Sequence, residues 1–106
     1  AKAWVNFNGS GTVAIRDDFN VTSISDNGSG DYSINFSTAM ANSNYSAVVS
    51  HNHGSPSDGG SNTRQIGLLG TYNSNGFRIT IELPNTSPGQ SRSDSNMVTA
   101  AVFGDQ

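Results

Sequence analysis

Apolar residues recur at every second position along most of this chain, and no stretch sustains the i, i+3, i+4 spacing of an amphipathic helix. Ala3, Val5 and Phe7 share one face of a first strand, which the turn signal Asn8-Gly9-Ser10-Gly11 ends. Val13 and Ile15 share a face of a second. Phe19 and Val21 open a third, and Ile24 at the opposite parity predicts a bulge or a strand end. Asp26-Asn27-Gly28-Ser29-Gly30 is a hairpin signal, because Asn and Gly tolerate the positive φ of tight turns. Tyr32, Ile34 and Phe36 are then expected inward, with Ser33 and Asn35 outward.

Residues 37–44 read as a polar connection with Met40 as a plug, followed by the alternation Tyr45, Ala47, Val49. The Gly-, Pro- and Ser-rich stretch from His51 to Thr63 reads as a long loop. Ile66 and Leu68 mark another strand, closed by Gly70 and the turn Asn73-Ser74-Asn75-Gly76. Phe77, Ile79, Ile81 and Leu83 alternate cleanly with Arg78, Thr80 and Glu82. A second long loop runs from Pro84 to about Ser95. The last strand, Met97 to Phe103, is apolar on both parities, as in strands covered on both faces. In a small domain that pattern predicts that one face meets another chain. The result is about eight short strands at even spacing, the mark of an antiparallel β-sandwich or barrel.

Composition narrows this further. A chain of 106 residues is expected to form a single domain. With 33% hydrophobic and 12% charged residues, its surface must be mostly Ser, Asn, Thr and Gly, unlike a charge-rich disordered segment. Net charge is −3, and the basic residues Lys2, Arg16, Arg64, Arg78 and Arg92 are dispersed, so no stripe exists to neutralise nucleic-acid phosphates. No apolar run is long enough to insert in a membrane as a helix. The first residues do not read as a signal peptide. The chain has no cysteine, which removes disulfides, thiolate metal sites and cysteine nucleophiles together. It starts at Ala1, so the expectation is the C-terminal fragment of a longer polypeptide.

The chemistry that an enzyme needs is missing from the pattern. No serine stands in a Gly-x-Ser-x-Gly elbow. Asp17 and Asp18, being adjacent, point to opposite faces of a strand and cannot act as a paired acid and base. The chain is therefore read as non-catalytic. His51-Asn52-His53 is the one candidate metal pair, since i and i+2 on an extended segment project to the same side. Three chains around a threefold axis would supply an octahedral set suited to Fe, Ni or Co. The alternative is a polar strand end beside a loop. Trp4, Tyr32, Tyr45 and Tyr72 offer aromatic faces to sugars; core packing is the default for the strand positions, Trp4 is read as half-exposed or at an interface, and Tyr72 is the best exposed candidate.

The string Ala3-Trp4-Val5-Asn6-Phe7-Asn8-Gly9-x-Gly11-Thr12-Val13-Ala14-Ile15-Arg16, followed by Phe19-Asn20-Val21-x-Ser23-Ile24-x-Asp26-Asn27-Gly28-x-Gly30-Asp31-Tyr32, resembles a known module. It is similar to the C-terminal region of bacteriophage tail fibre and tail-fibre-like proteins, including those of cyanobacterial and other marine phages. The resemblance spans residues 2 to about 45 and fades beyond Tyr45. It implies a homotrimeric fibre knob on the virion, outside the cell, that attaches to a bacterial surface polysaccharide or outer-membrane protein. Loops 54–63, 71–76 and 84–95 would then meet the receptor, with Ser57, Asp58, Asn62, Arg64, Tyr72, Asn73, Gln90 and Arg92 as candidates. Trp4, Val98, Ala100 and Val102 are the candidates for the trimer interface. A structural trimerisation or decoration domain, or a carbohydrate-binding module of an enzyme, are the competing readings.

Overall fold

A computed structural model describes residues 1–52, 65–83, 91–92 and 94–106. Its strands are β1 (Ala3–Asn8), β2 (Ala14–Phe19), β3 (Val21–Gly28), β4 (Asp31–Phe36), β5 (Ser46–His51), β6 (Gln65–Asn73), β7 (Gly76–Leu83), β8 (Ser91–Arg92) and β9 (Val98–Phe103). No helix occurs among the described residues. A four-stranded sheet runs β2-β1-β9-β5, and a five-stranded sheet runs β3-β4-β7-β6 with β8 beside β7. All pairings are antiparallel. The two sheets enclose one core as a β-sandwich, the architecture expected from the alternation.

The inward residues are those the alternation predicts. Ala3, Val5 and Phe7 from β1 meet Tyr32, Ile34 and Phe36 from β4 and Phe77, Ile79 and Ile81 from β7. Met40 is buried among them, as a plug between strands. Phe7 meets Tyr32 edge-to-face with ring centroids 5.3 Å apart, an arrangement the ring quadrupoles favour. Tyr45 packs edge-on against Phe36, and its hydroxyl donates toward the carbonyls of Asn73 (2.9 Å) and Gly76 (2.8 Å) at the turn joining β6 to β7. Gly76 cannot be larger, because a β-carbon there would run into the Ile34 carbonyl oxygen.

The chain crosses between sheets at Asn20, whose φ of 59° ends β2 and starts β3. Phe19 and Val21 therefore lie in different sheets rather than opening one strand together. The Asn20 carboxamide secures this corner, donating to the carbonyls of Lys2 (3.1 Å) and Thr38 (3.0 Å) and accepting from the Thr38 amide at 2.6 Å. Asn tolerates the left-handed region better than other non-Gly residues, which explains its place here. The register of β3 against β4 slips between Val21 and Ser23, the irregularity that the parity of Ile24 predicts. Another slip lies between Asn6 and Phe7 against β2. The short β8 falls inside the stretch read as a loop and pairs with the last residues of β7, Glu82 and Leu83.

At one end of the sandwich a polar clasp ties the sheets together. The Tyr32 hydroxyl lies 2.7 Å from the Gly9 carbonyl oxygen and 2.9 Å from Asp94 Oδ1. Asp94 Oδ1 also accepts the Gly30 amide at 2.8 Å, and the Gly9 amide donates to the Ser95 carbonyl at 2.9 Å. Burial and the neighbouring carboxylate of Asp94 both push the Tyr32 hydroxyl above its ordinary range, so it stays a donor at every ordinary pH.

Candidate functional site

The last strand carries the first correction. Val98, Ala100 and Val102 are 0%, 5% and 1% exposed, because β9 lies between β1 and β5 and turns these side chains into the sandwich. They are core, not an interface. The apolar character of the other parity belongs to the outer face of the same sheet, where Ala101 and Phe103 stand.

That outer face holds a transverse row. Trp4 is paired with Phe19 on one side and with Ala101 on the other, and Ala101 is paired with Val48. Phe19, Trp4, Ala101 and Val48 thus cross all four strands side by side, with Phe103 one step along β9. Phe19 is 53% exposed, Trp4 38%, Val48 63% and Phe103 50%. Contiguous exposure of this kind is uncommon on monomers, and aromatic residues are enriched at the centres of protein interfaces. The next row, Asp17, Asn6, Thr99 and Ser50, is polar, with the Ser50 and Thr99 hydroxyls 2.6 Å apart. Trp4 is half-exposed, as expected, and Phe19, Val48, Ala101 and Phe103 share its face. Val48 stands out of phase with Ala47 and Val49, which was the one sequence signal for an outward apolar residue there.

The outer face of the five-stranded sheet has the opposite character. One row reads Ser23, Asn35, Gly76, Asn73, and the next reads Ser25, Ser33, Arg78, Leu69. Asn35 donates to both Ser23 and Ser25 hydroxyls at 3.0 Å, and Asn27 donates to Ser33 at 2.9 Å. Arg78 donates from Nε and Nη2 to the two oxygens of Asp31 at 2.8 and 2.6 Å, a two-point fork. Asp31 is buried, while the Arg78 side chain remains 45% exposed. The carboxylate holds the guanidinium above its ordinary range, mainly through these hydrogen bonds. Between these rows lies a cleft of about 430 Å³ lined by Ser33, Asn35, Leu69, Asn73, Asn75, Gly76, Phe77 and Arg78.

Of the receptor candidates, Asn73 lines this cleft. Tyr72 is not the open platform expected. Its ring is stacked on Tyr45 at 4.4 Å with 5° between planes and touches Phe77, so one aromatic face is already covered. Arg92 pairs with Glu82 through the backbone of β8. Ser57, Asp58, Asn62, Arg64 and Gln90 lie outside the described residues, as does His53. His51 ends β5 on its inward parity opposite Val98, with Nδ1 2.8 Å from the Asn52 carbonyl and 3.3 Å from Ser95 Oγ. These contacts fit the reading of a packed polar strand end. Among the described residues, no three of His, Cys, Asp and Glu gather as a metal-binding group. Ser95 is buried, and the adjacent Asp94 serves Tyr32 and Gly30 rather than His51, so this cluster lacks the relay of a hydrolytic triad.

Comparison with protein-family models, curated proteins and solved structures finds no match.

Proposed function

We propose that this chain is the receptor-binding end of a bacteriophage tail fibre. In this reading it is a homotrimeric adhesion domain on the outside of the virion, attaching to a bacterial surface glycan or outer-membrane protein. The observation that carries the reading is the opposition of the two outer faces, one apolar and aromatic, the other a hydrogen-bonding surface of amides and hydroxyls. The first suits contact with further copies of the chain. Trp4 and Phe19 belong both to that face and to the stretch that resembles fibre tips, which favours a second copy as its occupant. The second face suits a polar receptor. Individually weak contacts would gain avidity from the copies in each fibre.

Fluorescently labelled domain, incubated with a panel of bacterial strains, is expected to bind some strains saturably and to block phage adsorption to them. Absence of binding to every strain overturns the reading. Binding without an adsorption block leaves only the structural or decoration role. Release of oligosaccharide from host polysaccharide would replace it with an enzyme module.

A further inference from the structure

We infer that the cleft over Gly76 is the receptor subsite and that its ligand is a neutral saccharide unit. This rests on the adhesion reading above and names the substrate class and its residues.

The cleft converges hydrogen-bonding groups that the fold leaves unspent. Asn73 uses Oδ1 to accept the Asn75 amide at 2.8 Å, leaving its Nδ2 for a ligand. The Asn75 carboxamide itself has no hydrogen bond among the described residues, so both its donor and its acceptor are open to the cleft it lines. Asn35 spends its amide nitrogen on Ser23 and Ser25, which orients the carboxamide and leaves the oxygen as an acceptor. Ser33 accepts from Asn27 and keeps its hydroxyl hydrogen. Donors and acceptors are therefore mixed at close spacing, which matches vicinal hydroxyl groups, each both donor and acceptor. Leu69 is exposed at the rim and offers an apolar patch to the C–H face of a pyranose ring.

Charge selects within the saccharides. Arg78 is the cation of the cleft, and Asp31 takes its Nε hydrogen and one of the two Nη2 hydrogens, leaving the other N–H groups as donors. Its charge is already balanced by that buried carboxylate, so an acidic sugar gains little over a neutral hydroxyl, which needs only one of the remaining donors. The fixed guanidinium thus acts as an oriented donor more than as an anion site. The cavity is small, near the lower end of the roughly 300–1,000 Å³ of small-molecule pockets, so a terminal sugar fits better than a polymer run. Its floor is fixed by the fold, because a side chain at residue 76 would strike the β4 backbone.

The test uses the full chain labelled with ¹⁵N and titrated with the methyl glycosides of glucose, galactose, mannose and N-acetylglucosamine, and separately with methyl glucuronide. At least one neutral glycoside is expected to shift the side-chain amide signals of Asn73 and Asn75 saturably, with a Kd of about 1–10 mM. Asn75→Ala should weaken that binding about 10-fold while the backbone spectrum away from the cleft stays the same. No saturable shift at these amides with any neutral glycoside, or shifts with the glucuronide alone, overturns the inference. Saturable shifts confined to the four-stranded sheet also overturn it. The two readings fail separately: cell binding that survives Asn75→Ala sinks the subsite alone, whereas sugar shifts without any cell binding sink the adhesion role alone.

Discussion

Across the outer face of the four-stranded sheet runs the row Phe19, Trp4, Ala101, Val48; across the outer face of the five-stranded sheet runs Ser25, Ser33, Arg78, Leu69. Both rows sit on the same kind of antiparallel scaffold, and both back onto the same core. They differ in how their side chains are satisfied. On the five-stranded sheet, outward groups bond to one another, through Asn35 to the serines and Arg78 to Asp31, and a cleft is left between them. On the four-stranded sheet, the Trp4 indole N–H apart, the outward side chains of the apolar row carry no hydrogen-bonding group and are stabilised mainly by losing water. A face of the first kind is stable in water, and its chemistry suits recognition by hydrogen bonds. A face of the second kind gains free energy only when something covers it.

The largest effect expected is on assembly. Trp4→Asp combined with Val48→Asp should weaken self-association by about 100-fold or more, because truncating central aromatic anchors typically costs 2 kcal/mol or more. Sedimentation equilibrium reads this directly, and circular dichroism should show an unchanged β spectrum, since both side chains lie outside the core. Wild-type mass in the double variant would dissolve the contrast between the faces.

Tyr32→Phe comes next. It removes the hydroxyl that joins β4 to Gly9 and Asp94, and should lower unfolding free energy by about 1–3 kcal/mol in urea titration. Because the clasp ties one sheet to the other, assembly and any cleft binding should weaken together near the unfolding midpoint. Separate loss of one would show that the faces do not share a framework.

Tyr45→Phe should cost about 0.5–1.5 kcal/mol at neutral pH, through the lost bonds to Asn73 and Gly76. Burial, aided by Tyr72, pushes the Tyr45 hydroxyl from 10.0 up to about 12. The unfolded chain therefore releases this proton before the folded one does. The stability held by the neutral hydroxyl is complete below pH 10 and is lost as pH rises through about 12. Thermal melts across that window should fall less steeply for Tyr45→Phe than for the wild type. Since Tyr45 anchors the turn bearing Asn73, Asn75 and Gly76, alkaline loosening should reach the cleft before the apolar row.

The smallest effect expected on assembly is from Asp31→Asn. It replaces one acceptor of the buried carboxylate by an amide N–H facing the Arg78 fork, so stability should fall by about 1–3 kcal/mol while the apolar row is untouched. The side-chain Nε signal of Arg78 should broaden or shift, while the assembled mass stays that of the wild type. A change in mass would mean that the polar face also takes part in assembly.

Much of the sandwich was legible because its inner parities are uninterrupted: Ala3, Val5, Phe7; Tyr32, Ile34, Phe36; and Phe77, Ile79, Ile81 alternate without exception. The crossing at Asn20 was hidden, because a change of sheet preserves the local alternation of Phe19 and Val21 and only the backbone angle reveals it. The two-sided apolarity of the last strand was seen, but its sides were assigned in reverse. Parity alone does not say which face is inward; the pairing of Ala100 with Val5 and of Ala101 with Trp4 does. The cleft was legible only along the 71–76 loop, at Asn73 and its neighbours Asn75 and Gly76. Its other residues come from β4, β6 and β7, joined by register, and that register depends on which strands become neighbours.

The chain contains a single tryptophan, and Trp4 stands in the middle of the apolar row, separated from Val48 by Ala101. Acrylamide quenching of its fluorescence therefore reads the covering of that face without any label. In the wild type at micromolar concentration the indole should be shielded, and Val48→Asp, which does not touch it, should make it accessible by breaking the assembly. Equal quenching of the two proteins, at the level of a half-exposed indole, would contradict the assignment of this face to assembly.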